Sequence, residues 1–233
     1  DGFLDIFVPN YGHNVLWHNN GNGTFTNVAD KLGVGVENHA VGASWGDYDN
    51  DGYIDLAVMS YEGPQGKQVP HDALFHNLGG KRFVNVLTMD SALNSGDHGV
   101  EWVDYDRDGA LDLSTTRGYS PVGGHYLFHN DLPKAAAQRS LNVLVLGANG
   151  HFNQPGAEVR LYDRAGKILG AGQVSTGGGY GVQDAQPVHF GLRKLAPVTV
   201  EVSFMSATGR KVQRVTNVDP RAYWGRSLVV KRQ

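Results

Sequence analysis

The chain has 233 residues, a formal net charge of −3 and no cysteine, which excludes disulfides and cysteine-ligated zinc as sources of stability. Its 32 glycines and its short stretches of alternating apolar and polar residues indicate an all-β protein with many turns. No run of about 20 apolar residues is present, so the sequence predicts no transmembrane segment.

The chain opens with "DGFLDIFVPN", residues 1–10, whose meaning becomes clear only from a complete motif further on. That motif is "GDYDNDGYIDLAV", residues 46–58, with its aspartates at 47, 49, 51 and 55. Carboxylates this close repel one another unless a cation lies between them. Calcium takes roughly six to eight oxygen ligands, and such a loop supplies them from alternate residues. We predict calcium ligation by the side chains of Asp47, Asp49, Asp51 and Asp55 and by the carbonyl of Tyr53; a solvated acidic turn is the alternative.

The residues around this loop decide what it joins. A helix-loop-helix calcium site needs a bidentate Glu at the twelfth position, and the residue there is Val58. The flanking segments "VGASW" and "YIDLAVMSY" are rich in β-branched and aromatic residues. The loop is therefore predicted to connect two strands.

The motif occurs again, and part of it occurs at the start of the chain. "VDYDRDGALDLSTTRG", residues 103–118, predicts a second complete site. Residues 1–5 align with the last part of the loop and predict a partial site, for which the two leading aspartates are absent. The predicted ligands are the side chains of Asp104, Asp106, Asp108 and Asp112 with the carbonyl of Ala110, and the side chains of Asp1 and Asp5 with the carbonyl of Phe3. Two complete Ca²⁺ sites and a third, partial one are expected.

Each loop is followed by a second shared signature. The segments are "NVLWHNNGNGTFTNVAD", "DALFHNLGGKRFVNVLT" and "HYLFHNDLPK", and the loop glycines recur after 50 and 57 residues. About four short strands per repeat is the content of a propeller blade. On these motifs residues 1–135 resemble the FG-GAP/VCBS repeat family, the calcium-carrying blades of integrin α subunits. The resemblance implies an incomplete β-propeller, whose open edge we expect upstream blades or another subunit to cover.

The second half follows a boundary at "KAAAQRS", residues 134–140, predicted as a helical turn or linker. Residues 136–233 contain "QPGAEVRLYDRAGKILGAGQVSTGGGYGVQDAQPVHFGL", which resembles the ASPIC/UnbV module. The resemblance implies a small β-sandwich-like domain and a relationship with the cartilage acidic protein family. That family usually carries a Trp-Pro-x-Gly segment near its end, where this chain has "SFMSATGRKV", residues 203–212.

The small net charge conceals an asymmetry between the halves. Residues 1–135 carry 18 acidic and 7 basic side chains, whereas residues 136–233 carry 5 acidic and 13 basic ones. The basic half could dock on the acidic half, on an acidic glycan or on a membrane surface. The basic residues are scattered, so nucleic acid is not expected as a partner.

The histidines raise the question of catalysis. His18, His76 and His129 recur at one place in every repeat, which favours a structural role in packing or hydrogen bonding over a catalytic one. His39 and His98 precede their loops and could line a shared surface. No nucleophile elbow, zinc pair or P-loop is present, so the chain is more readily interpreted as a binding protein than as an enzyme.

Three functions remain open. The first is a calcium-stabilised extracytoplasmic binding or scaffold protein, because such loops fill at the millimolar calcium found outside cells. Its expected partner is an unidentified protein or an acidic glycan, and its contact candidates are residues 61–72 and 117–126, with Tyr61, Tyr119 and Tyr126. The second is a carbohydrate lyase or dehydratase using the non-repeated residues His39, His98, Arg117 and His125. The third is a fixed accessory subunit of a larger extracytoplasmic complex.

Overall fold

The computed structural model describes residues 1–61, 70–94, 96, 98–117, 124–151, 154–177, 179–180, 182–183, 186–207 and 209–233, and these are almost entirely β. The first half contains one short helix, α1 (Ala29–Leu32), and eleven described strands. They are β1 (Ile6–Val8), β2 (Tyr11–His13), β3 (Val15–Asn19), β4 (Phe25–Asn27), β5 (Glu37–Gly46), β6 (Asp55–Ser60), β7 (Ala73–Asn77), β8 (Phe83–Asn85), β9 (Gly99–Val103), β10 (Asp112–Arg117) and β11 (Gly124–Phe128).

These strands form three sheets that follow the repeats. Strands β5 to β8 pair in sequence order as an antiparallel meander of four strands, the arrangement predicted for one blade. The first sheet has the order β1-β3-β4 and the third the order β11-β10-β9. Strand β2 does not join the first sheet but pairs with β5 of the second, through Tyr11 and His39. The described residues thus contain a middle sheet of five strands, β2-β5-β6-β7-β8, between two three-stranded sheets, without a closed ring.

Two apolar cores lie between these three sheets. One includes Leu16 from the first sheet with Leu56 and Phe75 from the second, all at most 2% exposed. The other includes Met59 from the second sheet and Trp102 from the third. Side chains alternate across a strand, so residues one apart on β6 enter different cores. The middle sheet is therefore apolar on both faces, as a blade packed between two others requires.

The second half follows helix α2 (Lys134–Ala137), in the segment predicted as a helical turn or a linker, and a helical turn is what forms there. Its strands are β12 (Ser140–Leu146), β13 (Glu158–Tyr162), β14 (Ile168–Gln173), β15 (Val188–Gly191), β16 (Val198–Ser206), β17 (Gly209–Val218) and β18 (Leu228–Lys231), with a 3-10 turn at Pro220–Tyr223 before the last. They form two sheets, β15-β12-β18 and β14-β13-β16-β17, in which β12 and β18 are parallel. Both sheets contribute to a single core of buried valines, leucines and phenylalanines.

The helices of the described residues are only four residues long, and none of them is long and apolar enough to cross a membrane. α2 lies across the boundary predicted between residues 135 and 136, which stays a prediction. Tyr119 and most of the two segments proposed as contact loops, residues 62–69 and 118–123, lie outside the described residues.

Candidate metal centre

Loop 2, residues 46–55, connects β5 to β6 and gathers its aspartates around one point. A carboxylate oxygen from each of Asp47, Asp49 and Asp51 lies within 4.8 Å of the other two. The backbone wraps around Asp47, whose two oxygens accept hydrogen bonds from the N–H groups of Asp51 at 3.0 Å and Gly52 at 2.8 Å. Gly52 has a φ of 83°, which a residue with a side chain rarely adopts. The sequence forms a tight cup of carboxylates here.

Asp55 closes the same cup from the start of β6. Its side chain is fully buried and accepts N–H hydrogen bonds from Asn77 at 2.7 Å and Tyr48 at 3.2 Å. Oxygens of Asp49 and Asp55 lie within 4.8 Å of each other and of a His76 ring nitrogen. The four predicted carboxylate ligands of loop 2 thus fall into two groups that share Asp49, and their role as ligands stays a prediction.

Loop 3, residues 103–112, connects β9 to β10 and repeats this geometry in a more exposed form. Oxygens of Asp104, Asp106 and Asp108 lie within 4.8 Å of one another. Asp112 is buried and accepts N–H hydrogen bonds from Asn130 at 2.9 Å and Tyr105 at 3.3 Å. The described geometry groups the three leading aspartates, and the ligand role of Asp112 stays a prediction.

Loop 1, residues 1–5, keeps the end of the motif. Asp5 Oδ1 accepts the N–H of Asn19 at 2.8 Å, as Asp55 and Asp112 do at their own sites. The residues predicted to offer carbonyls occupy equivalent turns, because the N–H groups of Phe3, Tyr53 and Ala110 each donate to the aspartate two residues earlier, at 3.0, 2.8 and 2.8 Å. No described cluster of three ligand side chains occurs at loop 1. Its metal site stays a prediction.

The repeated His-Asn pair makes hydrogen bonds to these aspartates and to the carbonyls before them. The Nδ1 atoms of His18, His76 and His129 lie 3.1, 3.2 and 3.1 Å from the oxygens of Asp5, Asp55 and Asp112. The following asparagine also donates from its side chain to the carbonyl just before that aspartate, as Asn77 does to Ile54 at 2.9 Å. The role of the pair is therefore hydrogen bonding to the last loop aspartate, and the histidine rings are partly exposed, not packed away.

The electrostatics of the loops favour a bound cation. Burial raises the pKa values of Asp47 and Asp55 to about 7, and repulsion by neighbouring loop aspartates contributes. Burial also raises the pKa values of Asp51, Asp104 and Asp112. Within the described residues, the basic side chains that lie within 4.0 Å of the loop carboxylates are histidines.

The donor set fits a hard cation. It consists mainly of carboxylate oxygens, with a His76 ring nitrogen beside Asp49 and Asp55. Oxygen-rich sites suit calcium, magnesium or manganese, whereas softer metals prefer nitrogen and sulfur. A bound divalent ion would supply positive charge to carboxylates that otherwise repel one another. The chain's own part is to hold these oxygens in place by the N–H hydrogen bonds described above.

The second half of the chain contacts all three loops. The motif glycines mark the contact, because a Cβ added to Gly2, Gly52 or Gly109 would come within 3.0 Å of Ile168, Arg193 or Ala137, respectively. The Arg193 guanidinium also lies 4.1 Å above the Tyr53 ring. The lysines and arginines of the second half form their described salt bridges with acidic residues of the same half, as Arg214 does with Glu201, and not with the first half. The halves thus meet at the loops through close packing and hydrogen bonds.

Asn50, Asn142 and His189 are functional candidates that the sequence did not single out. His189 is partly buried and lies between the two asparagines, at 2.8 Å from each. A histidine in a strand carries no local sequence signal for such a partner, since Asn50 is 139 residues away. Asn50 itself stood within the predicted loop, at the position between two ligands.

The residues proposed for a lyase lie away from the loops. The rings of His39 and His98 flank Tyr61, with centroids 5.5 and 5.9 Å from it. Arg117 and His125 lie on neighbouring strands β10 and β11, one register position apart. The structure brings two of the histidines to one tyrosine but does not join all four residues in one described cluster.

Comparison with known proteins agrees with this architecture. Residues 1–58 match the family described as FG-GAP-like repeat, and residues 147–225 match the family described as ASPIC and UnbV. Cartilage acidic protein 1 of Xenopus tropicalis is 33% identical over 112 residues, which is 47% of this chain and 16% of that protein. The Mus musculus and Homo sapiens proteins of that name are 32% and 30% identical over 111 residues, or 47% of this chain and 17% and 16% of theirs.

The matched region spans about one sixth of the curated relatives' length. The first family match contains loops 1 and 2 and ends before loop 3, while the second begins within the two-sheet half of the chain. Residues 1–58 are therefore similar to an FG-GAP-like repeat and residues 147–225 to an ASPIC and UnbV domain, and the chain is similar to cartilage acidic protein 1 over about half of its own length.

Proposed function

We propose that this chain is a calcium-stabilised extracellular binding or scaffold module. The observation that carries the proposal is the clustering of three carboxylates within 4.8 Å at both loop 2 and loop 3. Carboxylates held this close together repel one another, which destabilises the folded chain unless an ion or protons neutralise them. Calcium would convert each loop from a source of repulsion into a clamp that holds two strands and the second domain together.

The extracellular location follows from the same chemistry. Calcium loops of extracellular modules commonly bind with dissociation constants near 10⁻⁴ to 10⁻³ M, which suits the calcium level outside cells. The absence of cysteine leaves disulfides out of the fold, so metal clamps take a larger share of its stabilisation. The name of the similar proteins, cartilage acidic protein 1, refers to a tissue and supports the proposed location.

One interaction surface belongs to this proposal, the outer face of the first sheet. Ile6 is 50% exposed, whereas Leu56 and Leu113, at the same repeat position, are 0% and 3% exposed. Trp17 is 39% exposed, whereas its counterpart Phe75 is 1% exposed. In the second and third sheets this face packs against the preceding sheet. In the first sheet the same face is left open. We propose that a further blade of the same repeat covers it.

The experiment that tests the calcium proposal is thermal unfolding of the chain in excess chelator, then with rising calcium, with magnesium as a control. A ligand that binds only the folded state raises the unfolding midpoint with its concentration. We expect a calcium-selective rise, reduced by Asp49→Ala or Asp106→Ala and absent in the double variant. An unchanged midpoint at millimolar calcium would overturn the proposal.

A further inference from the structure

Four polar side chains connect loop 2 to loop 3 through the second domain. The order is Asn50 in loop 2, His189 on β15, Asn142 on β12 and Asp104 in loop 3. His189 Nε2 lies 2.8 Å from Asn50 Oδ1, and His189 Nδ1 lies 2.8 Å from Asn142 Oδ1. Asn142 Nδ2 donates to Asp104 Oδ2 at 2.9 Å. Asn142 and His189 are register partners on adjacent strands, so the sheet fixes their separation.

The orientation of both amide groups is determined by their other partners. Asn50 Nδ2 donates to the carbonyls of Gly109 at 2.9 Å and Ala137 at 3.2 Å, so its oxygen must face His189. The Asn142 amide likewise points its nitrogen at Asp104, a carboxylate that accepts only, and its oxygen at His189. His189 therefore faces two acceptors, and Asn50 additionally touches loop 3 directly through Gly109.

The histidine can serve only one of these acceptors at a time when it is neutral. Desolvation lowers the pKa of His189 to about 4, so near neutral pH the ring carries one N–H, which donates to only one of the two asparagine oxygens. A displacement of either asparagine therefore changes the hydrogen bond to the other. This makes the ring a link between the two loops, not merely a side chain packed between them.

We propose that His189 and Asn142 act as positioning residues that couple calcium binding at loop 2 to calcium binding at loop 3. An ion held by Asp49 and Asp51 fixes Asn50 between them, which orders His189 and Asn142 and so orients the Asp104 carboxylate for the second ion. The coupling is reciprocal, because the affinities of two linked sites change by the same factor. This inference rests on the proposed calcium binding.

The test is calorimetric calcium titration of the full chain and of variants with one loop disabled, Asp49→Ala for loop 2 and Asp106→Ala for loop 3. Independent sites would give a product of the two wild-type association constants equal to the product of the two single-loop constants. We expect the wild-type product to be larger by about fivefold. The excess is expected to vanish in the His189→Gln or Asn142→Leu background and to persist in His151→Leu, a matched control in the same domain.

The outcomes separate the coupling from the calcium binding itself. Equal products in the wild type, with both loops binding calcium, would overturn the coupling alone. An excess that survives both His189→Gln and Asn142→Leu would overturn the role of these residues. Absence of any calcium heat in the wild type would overturn the proposed function together with the coupling. Circular dichroism of each variant establishes whether it is folded. If either His189→Gln or Asn142→Leu fails to fold, the other variant still tests the coupling.

Discussion

Asn50 and Arg107 occupy the same position in loops 2 and 3, and both adopt the left-handed backbone conformation, with φ of 55° and 62°. Asparagine is several-fold enriched in this region, whereas a long side chain such as arginine is strained there. The two loops therefore share a backbone conformation that suits Asn50 of loop 2 better than Arg107 of loop 3. The strain lies in the more exposed loop.

Replacing Arg107 should consequently stabilise the chain. We expect Arg107→Asn to raise the free energy of unfolding by about 0.5–1 kcal/mol, since the new residue fits the left-handed conformation. Urea unfolding in excess chelator measures the change without calcium. Arg164→Asn removes an exposed arginine from a position without positive φ and is the matched control, expected near zero. A loss of stability in Arg107→Asn would mean that the guanidinium contributes more than the strain costs.

The asparagine after each repeated histidine should matter in proportion to its burial. Asn77 is 7% exposed, donates to the Ile54 carbonyl at 2.9 Å and accepts from the Gly80 N–H at 2.8 Å. Asn77→Ala removes both of these part-buried hydrogen bonds and, at about 0.5–1.5 kcal/mol each, is expected to cost about 1–3 kcal/mol. Asn19 makes the equivalent contact, to Leu4 at 3.3 Å in the more exposed first sheet, so Asn19→Ala is expected to cost less. Equal costs by urea unfolding would contradict this account.

The sequence was most informative where a motif repeats. The spacing of Asp47, Asp49 and Asp51 predicted a carboxylate cluster and its place between strands, because alternate residues of a tight turn must face a common centre. The recurrence of one aromatic-His-Asn segment predicted a structural role, and comparison between repeats was sufficient for that. The strand content of a blade and the helical turn at residues 134–137 followed from local pattern.

Contacts between distant segments could not be predicted in this way. β2 leaves the first sheet for the second, although nothing in "YGH" distinguishes the two partners. The link from His189 to Asn50 joins residues whose environments are set by the docking of one domain on another, which no local period encodes. Ten histidines offered many candidates, and only the tertiary structure selects His189, which lies between Asn50 of loop 2 and the Asn142 partner of loop 3.

Because one face of the first sheet is open, substitutions on that face should affect the stability of this chain and of a longer protein with a further blade differently. In this chain Ile6 and Trp17 are 50% and 39% exposed, so replacing both by serine should change stability by less than about 1 kcal/mol. Leu56→Ala at the buried equivalent position should cost about 2–5 kcal/mol. If a further blade covers the face, the same Ile6→Ser and Trp17→Ser pair should destabilise a longer protein containing that blade. Equal, small effects in both lengths would count against the proposed cover.

The response to pH should distinguish the metal-free from the calcium-loaded protein. Asp47 and Asp55 have pKa values of about 7 in the folded chain against an ordinary value of 3.8, so the metal-free folded state binds more protons than the unfolded state between those values. The stabilisation by those protons is complete below pH 3.8 and is lost as the pH rises through about 7. Calcium needs the ionised carboxylates, so its affinity rises over the same window.

The gap between the unfolding midpoints with calcium and with chelator should therefore widen from about pH 5 to about pH 7 and become constant above it. His189 acts in the opposite direction, because its pKa is lowered from 6.5 to about 4 and the fold loses stability as the pH falls between them. Scans of His189→Gln, which lacks this group, isolate the contribution of the aspartates. Calorimetric unfolding scans across this range supply the measurement, and Asp55→Asn should flatten the curve. If the gap narrows with rising pH, calcium does not displace protons from these carboxylates.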